Sequence, residues 1–459
     1  MRVFWWVMCV GIFLPLTAGA QTISCESLDK SQAYAHKKSY RYLAEGPEGW
    51  LFRSEKDMKA DFSLTPQTIA RFRELDQAFR EKSMDLVIVM PPTRAMMHAD
   101  KVPVPSRWIK SYEAEKAWNS YAESLVSLKA AGLNIVEFTK ADIGKPDFYH
   151  KRDHHWTLEG AKLSAQRTAE VIKALPVTLP VHVYQTESAG DVAIDGSFEQ
   201  FVQEVCGKNI TDEKMAKVST TPTEGDLFTS TDSAQIVVVG TSNCTEPGPS
   251  YANFAGYLRE FLSTDVDNAS IQGGGIDTPI LAYLASDDFA RHKHKIVVWE
   301  VASHYDFNGS EFDPVFAQAT PAAKGFCEGS ERAATKYDIR SGNSDLFAGL
   351  KAKSIPADET YIALKFNKPV KKDFALSLSY ADGEKARIRF ERSDRYPYDG
   401  IYFHTLGNKK SQVLTDVKML TSKGFVATSV EAKICPLNLS RNIATGSRLN
   451  AVEPSAGAP

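Results

Sequence analysis

The sequence predicts an α/β domain with a mainly parallel sheet, followed by a β-sandwich, on three observations. Four continuous β-branched apolar runs, at residues 86–90, 134–138, 236–239 and 296–301, alternate with helical patterns. Runs of that kind suit strands covered on both faces, and their alternation with helices marks βαβ units. After about residue 340 the texture changes to short segments of alternating polarity separated by turn residues, which reads as a sandwich. Charge changes sign at the same place: residues 340–459 hold 19 Lys and Arg against 12 Asp and Glu, a net +7, which leaves −10 for the remainder.

Along the chain, residues 1–20 have the layout of a secretory signal peptide. Arg2 precedes an apolar run over 4–16, and Ala18-Gly19-Ala20 stands before Gln21 as a small-residue cleavage site. The competing reading, an uncleaved anchor, needs roughly 20 apolar residues, and the run is shorter. An exported, soluble, periplasmic protein is expected, which excludes nucleic acid as a partner. The α/β unit is expected over 21–340, the sandwich over 341–450 and a disordered tail over 451–459. Helical patterns cover 65–82, where Ile69, Phe72, Leu75 and Phe79 share a face, and 112–131, 158–175 and 251–262.

In the sandwich, strands are expected at 361–366, 374–380, 386–390, 401–405 and 424–434, with Asp382-Gly383 as a tight hairpin turn. Its basic charge points to an anionic partner. The alternation from Ala386 to Arg392 puts Arg387 and Arg389 on one strand face. With Lys385, and with Tyr380, Tyr396, Tyr398 and Tyr402 as stacking platforms for sugar rings, they form the expected carbohydrate-binding surface. Cys9 leaves with the leader, and five cysteines remain. Connectivity is open on sequence alone. Locality along the chain suggests Cys25–Cys206 in the first unit and Cys327–Cys435 in the second, with Cys244 free.

Two motifs carry chemistry. Gly240-Thr241-Ser242-Asn243 follows the run 236–239, at the carboxyl end of a strand, where open α/β sheets place their sites. A serine there needs a base to become a nucleophile, and N–H groups of the turn suit an oxyanion. Asp153-His154-His155-Trp156-Thr157 precedes a helix that Thr157 caps. A carboxylate two residues before an imidazole fixes its tautomer and leaves the other ring nitrogen for the serine proton. Metal binding competes, since Asp and His are ligand types. Adjacent histidines tend to point apart and no further ligand cluster is evident, so neither metal nor cofactor is expected. Ser242, His155 and Asp153 are therefore the expected nucleophile, base and orienter. Asn243 and Tyr305 are placed as oxyanion or substrate contacts. Arg94, after the first strand, suits a bidentate grip on a uronate, and Arg340 at the unit boundary suits a polymer lying between the units.

Asp153-x-His155 before a helix, with Gly240-Thr241-Ser242 after a strand, resembles the SGNH hydrolases. In that family the serine sits in a G-D-S block that precedes a D-x-x-H block. Here the order is reversed, the spacing is D-x-H, and Thr241 stands at the Asp position. These departures match a circularly permuted branch that acetylates alginate and related polysaccharides. Gly46-Pro47-Glu48-Gly49-Trp50-Leu51-Phe52 and the strand Val297-Val298-Trp299-Glu300 also resemble that branch. The resemblance implies a triad acetyltransferase acting on mannuronate residues and the same cysteine pairs. It further implies an acetyl donor supplied by a membrane acetylation partner, and other export-complex proteins as partners. A polysaccharide acetylesterase and a non-catalytic polymer-binding scaffold are the competing functions.

Overall fold

A computed structural model describes residues 22–437 except 144–146, 224–233, 247, 249–251, 340–341, 372–373, 398–399, 408 and 410–411. The expected leader, the tail, Arg340 and Tyr398 lie outside the described residues. Among those described, no helix is long and apolar enough to cross a membrane.

Five parallel strands form the central sheet, in the order Asn134–Ile135, Asp85–Val89, Ile296–Glu300, Ile236–Val239 and Val266–Asn268. The three inner strands are fully apolar over most of their length and buried on both faces, as continuous β-branched runs require. The outer strands depart from expectation. The run at 134–138 pairs only over Asn134–Ile135. Val266–Asn268 is too short and polar to announce itself in sequence. Helices Pro66–Arg80, Ala114–Ala130, Leu158–Lys173 and Phe254–Leu262 fall on the expected patterns. Among the elements not foreseen is an antiparallel ribbon of Tyr184–Ile194 and Glu213–Pro222. It is largely exposed on both faces, so its sequence carries no apolar period. Between its strands runs the helix Ser197–Cys206.

The C-terminal region has two antiparallel sheets. One runs Ala333–Asp338, Ser429–Pro436, Thr360–Phe366, Ile401–Thr405. The other runs Asn343–Phe347, Val413–Thr421, Phe374–Tyr380, Lys385–Phe390. Its first strand therefore begins at Ala333, upstream of the change in texture at 340. Leu364, Leu376, Leu378, Val417, Met419 and Ile434 are buried in its core. The two regions meet firmly. Tyr361 Oη donates to Gly325 O (2.6 Å), Tyr396 Oη to Leu281 O (3.2 Å), and Phe326 packs edge-on to Phe403. Cys25–Cys206 and Cys327–Cys435 are disulfides, and Cys244 is free and buried.

Candidate active site

The nucleophile turn leaves the sheet just past Val239, which sits opposite Trp299 in the neighbouring strand. Residue 240 must be glycine: a Cβ there would lie 2.9 Å from Cys244 Sγ and 3.1 Å from Glu300 Oε2. The turn presents Ser242 Oγ at 2.8 Å from His155 Nε2. On the other side of the ring, Nδ1 lies 2.5 Å from Asp153 Oδ1. An ionised Asp153 only accepts, so Nδ1 carries the proton and Nε2 offers its lone pair to the serine hydroxyl. The three side chains that sequence placed 87 and 2 residues apart thus stand in one hydrogen-bonded line.

Asp153 is buried, which works against its charge. His155, His154 and the Ser197 N–H outweigh that and hold its carboxyl well below the usual carboxylate range. Its Oδ2 accepts from Ser197 N (2.7 Å) and its Oδ1 from His155 N (2.7 Å). Ser197 opens the Ser197–Cys206 helix, so the carboxylate lies at the positive end of a helix dipole. The approach demands Gly196, whose Cβ would fall 2.4 Å from Arg152 O. At its far end, the same helix is bonded through Cys206 to Cys25.

The histidine loop is held from beneath by Arg94. Its Nη1 donates to His150 O and Asp153 O (both 2.6 Å), and its Nη2 to Leu51 O (2.9 Å) and Lys151 O (3.2 Å). Trp50 and Phe52 flank the guanidinium, and Leu51 N donates to Lys151 O. The segment from Gly46 to Phe52 is thereby explained: it is the floor of the histidine loop. From the side, Glu213 accepts from Lys151 N and Arg152 N. Trp156 does more than pack. Its Nε1 donates to Asn243 O (2.8 Å) and ties the histidine loop to the nucleophile turn. Thr157 caps its helix, accepting from Gly160 N.

Several expected contacts are corrected. Arg94 has a side chain only 1% exposed and engaged with four carbonyls, so it is not a uronate clamp. Asn243 is no free oxyanion donor: its Nδ2 donates to Glu300 Oε1 (3.1 Å) and its N–H to Thr241 Oγ1 (3.3 Å). The Ser242 N–H, by contrast, takes no partner among the described residues. Tyr305 lines the cleft beside the triad, a space of about 840 Å³ that also meets Tyr40, Arg53, Lys56 and Gln272. Burial pushes the Tyr305 phenol up to about 12, so it stays a donor. Tyr380 points into the sandwich core and donates to Leu406 O, because it shares strand parity with Phe374, Leu376 and Leu378. Tyr396 and Tyr402 are buried as well. Lys385, Arg387 and Arg389 are exposed on one face as the alternation implied. Arg387 and Arg389, with Arg392 and Asp394, line a second cleft of about 530 Å³.

Three groups of described residues hold ligand-type atoms within 4.8 Å of one another: Asp153, His154 and His155; Asp267, Asp288 and His294; and Asp195, Glu199 and Asp212; the first contains the residue that meets Ser242. Both ring nitrogens of His155 already face triad partners, and His154 Nδ1 meets Ser197 Oγ at 2.6 Å. The geometry is that of a proton relay. Burial and the nearby Glu300 hold the Cys244 thiol well above its usual range, which removes it as a rival nucleophile.

Residues 43–303 match the family described as SGNH hydrolase-like domain, acetyltransferase AlgX. The alginate biosynthesis protein AlgX of Pseudomonas aeruginosa is 28% identical over 403 residues, covering 84% of this chain and 83% of that one. The probable alginate O-acetylase AlgJ of Azotobacter vinelandii is 28% identical over 297 residues, covering 58% and 71%. A solved structure of Pseudomonas aeruginosa AlgX superposes with a TM-score of 0.79 at 26% identity, over 90% of this chain and all of that one.

Proposed function

The chain belongs to the family of the SGNH hydrolase-like AlgX acetyltransferases, and on that premise we propose that it acetylates hydroxyls of an anionic exopolysaccharide of the alginate class, in the periplasm, through Ser242, His155 and Asp153. The observation that carries this reading is the continuous line from Ser242 Oγ through the imidazole to Asp153, at 2.8 and 2.5 Å.

The reaction runs in two halves. Ser242 Oγ attacks the acetyl carbonyl while its proton passes to His155 Nε2. The charge on the carbonyl oxygen is met by the unpartnered Ser242 N–H and the Tyr305 hydroxyl across the cleft. The tetrahedral centre collapses, the donor's leaving group takes the proton from Nε2, and acetyl-serine remains. A polymer hydroxyl then attacks, losing its proton to Nε2, and Ser242 recovers that proton as it leaves. Asp153 stays ionised throughout and stabilises the imidazolium. Transfer wins over hydrolysis when the acceptor is held close. The exposed Arg387 and Arg389 supply that hold for a polyuronate. The two disulfides agree with an oxidising compartment.

The test is intact-mass detection of an acetyl-enzyme with an activated acetyl ester, followed by transfer to polymannuronate. The expected adduct is one acetyl group on Ser242, lost on adding polymer. An unmodified protein, or an adduct that persists in Ser242→Ala, overturns the reading.

A further inference from the structure

The structure assigns Glu300 as the positioning residue for Ser242: from the neighbouring strand its carboxylate grips both residues that flank the serine and so aims the hydroxyl at His155 and the N–H into the cleft. This rests on Ser242 being the nucleophile.

Glu300 ends the Ile296–Glu300 strand, one position beyond the Val239–Trp299 pair. That register carries its side chain under the turn. Oε2 accepts from Thr241 N and Thr241 Oγ1, each at 2.8 Å, and Oε1 accepts from Asn243 Nδ2 at 3.1 Å. Three donors thus converge on one acceptor-only group from either side of Ser242. Glu300 is 1% exposed and buried among the apolar strands. A lone carboxylate there is costly, and its three hydrogen bonds are what make it tolerable. It does not line the cleft and touches neither Ser242 Oγ nor the imidazole, so it acts through the turn and not on the reacting atoms. The resembling family carries a carboxylate at the position of Thr241. Here one arrives from across the sheet.

An amide cannot replace it. In Glu300→Gln the amide oxygen keeps Thr241, while the amide nitrogen faces the Asn243 nitrogen. Flipping Asn243 only moves the clash, because its Oδ1 faces the Trp156 N–H at 3.4 Å. Adding Asn243→Asp restores the match: one carboxylate oxygen meets the new amide and the other still accepts from Trp156.

The experiment follows p-nitrophenyl acetate turnover and Ser242 acetylation in the full chain, with thermal midpoints measured beside them. In Glu300→Gln, kcat is expected to fall on the order of 10–100-fold with KM within about threefold, as for a misaimed oxyanion donor. The Glu300→Gln/Asn243→Asp double variant is expected to recover at least about tenfold. Parental kcat in Glu300→Gln, a loss expressed in KM alone, or a folded double variant without recovery overturns the assignment. Where Glu300→Gln does not fold, Thr241→Val removes, at constant shape, one donor to Glu300 together with the acceptor of the Asn243 N–H. A drop of about fivefold or more supports the assignment, and a smaller one overturns it. Ser242→Ala run alongside separates the two readings: if it still forms the adduct, the nucleophile itself is wrong, whatever Glu300 does.

Discussion

In the α/β region the guanidinium of Arg94 is almost sealed from solvent and holds four main-chain carbonyls, whereas in the sandwich Arg387 and Arg389 stand exposed on one strand face beside a cleft. Both sets invite the same expectation, a grip on a uronate. The difference lies in burial. A buried guanidinium is driven to satisfy its donors within the protein, so the four N–H groups on its Nη1 and Nη2 become scaffold. An exposed one keeps them for a ligand. The first region therefore uses positive charge to shape a loop, and the second leaves it exposed at the surface.

The largest effect that separates the regions is at the nucleophile. Ser242→Ala is expected to lower acetyl transfer on the order of 10³-fold or more, with polymannuronate affinity within about twofold of the parent by calorimetry. If affinity collapses too, binding and chemistry are not divided as described. Next comes Arg94→Met. It strands the carbonyls of the histidine loop and leaves Asp57 to Arg53 alone, at an expected cost of about 3–5 kcal/mol. Every tryptophan lies before residue 300, so tryptophan fluorescence reports the α/β region selectively and is expected to show the loss there. A variant as stable as the parent returns Arg94 to a binding role.

Arg387→Ala/Arg389→Ala reverses the pattern. Stability is expected to move by less than about 0.5 kcal/mol, while polymer affinity falls roughly tenfold and the remaining binding is less salt-sensitive. Unchanged affinity removes this face from the binding surface. The smallest effect is at acid pH. Hydrogen bonds from His294 and Lys293 lower Asp267 to about 2, below its ordinary 3.8. A depressed carboxylate contributes stability that is complete above the unfolded value and lost as pH falls through the folded one. Asp267→Asn is thus expected to flatten the stability loss between about pH 4 and 2 seen by tryptophan fluorescence. An unaltered acid limb speaks against that pairing.

The alignment of Ser242, His155 and Asp153 was legible because each half is a short contiguous motif at a strand end or a helix start. Asp153 and His155 need only two residues of spacing to meet, and Gly240 marks a turn that tolerates no side chain. Arg94 was misread because its partners come from residue 51 and from 150–153, and nothing local encodes their convergence. Tyr380 was misread although its parity with Phe374, Leu376 and Leu378 was there to be used. Glu300 entered the sequence reading only as the last residue of a strand that resembles the permuted branch. Only the register with Ile236–Val239 brings it under the serine. The ribbon of Tyr184–Ile194 and Glu213–Pro222 buries too little to leave a periodic trace.

The helix Ser197–Cys206 touches Asp153 at one end and is stapled to Cys25 at the other, across 181 positions of sequence. The anchorage of the element beside Asp153 thereby depends on the oxidation of that pair. With both thiols reduced, Ser242, His155 and Asp153 would all be present, while the helix that donates to Asp153 would lack its covalent anchor.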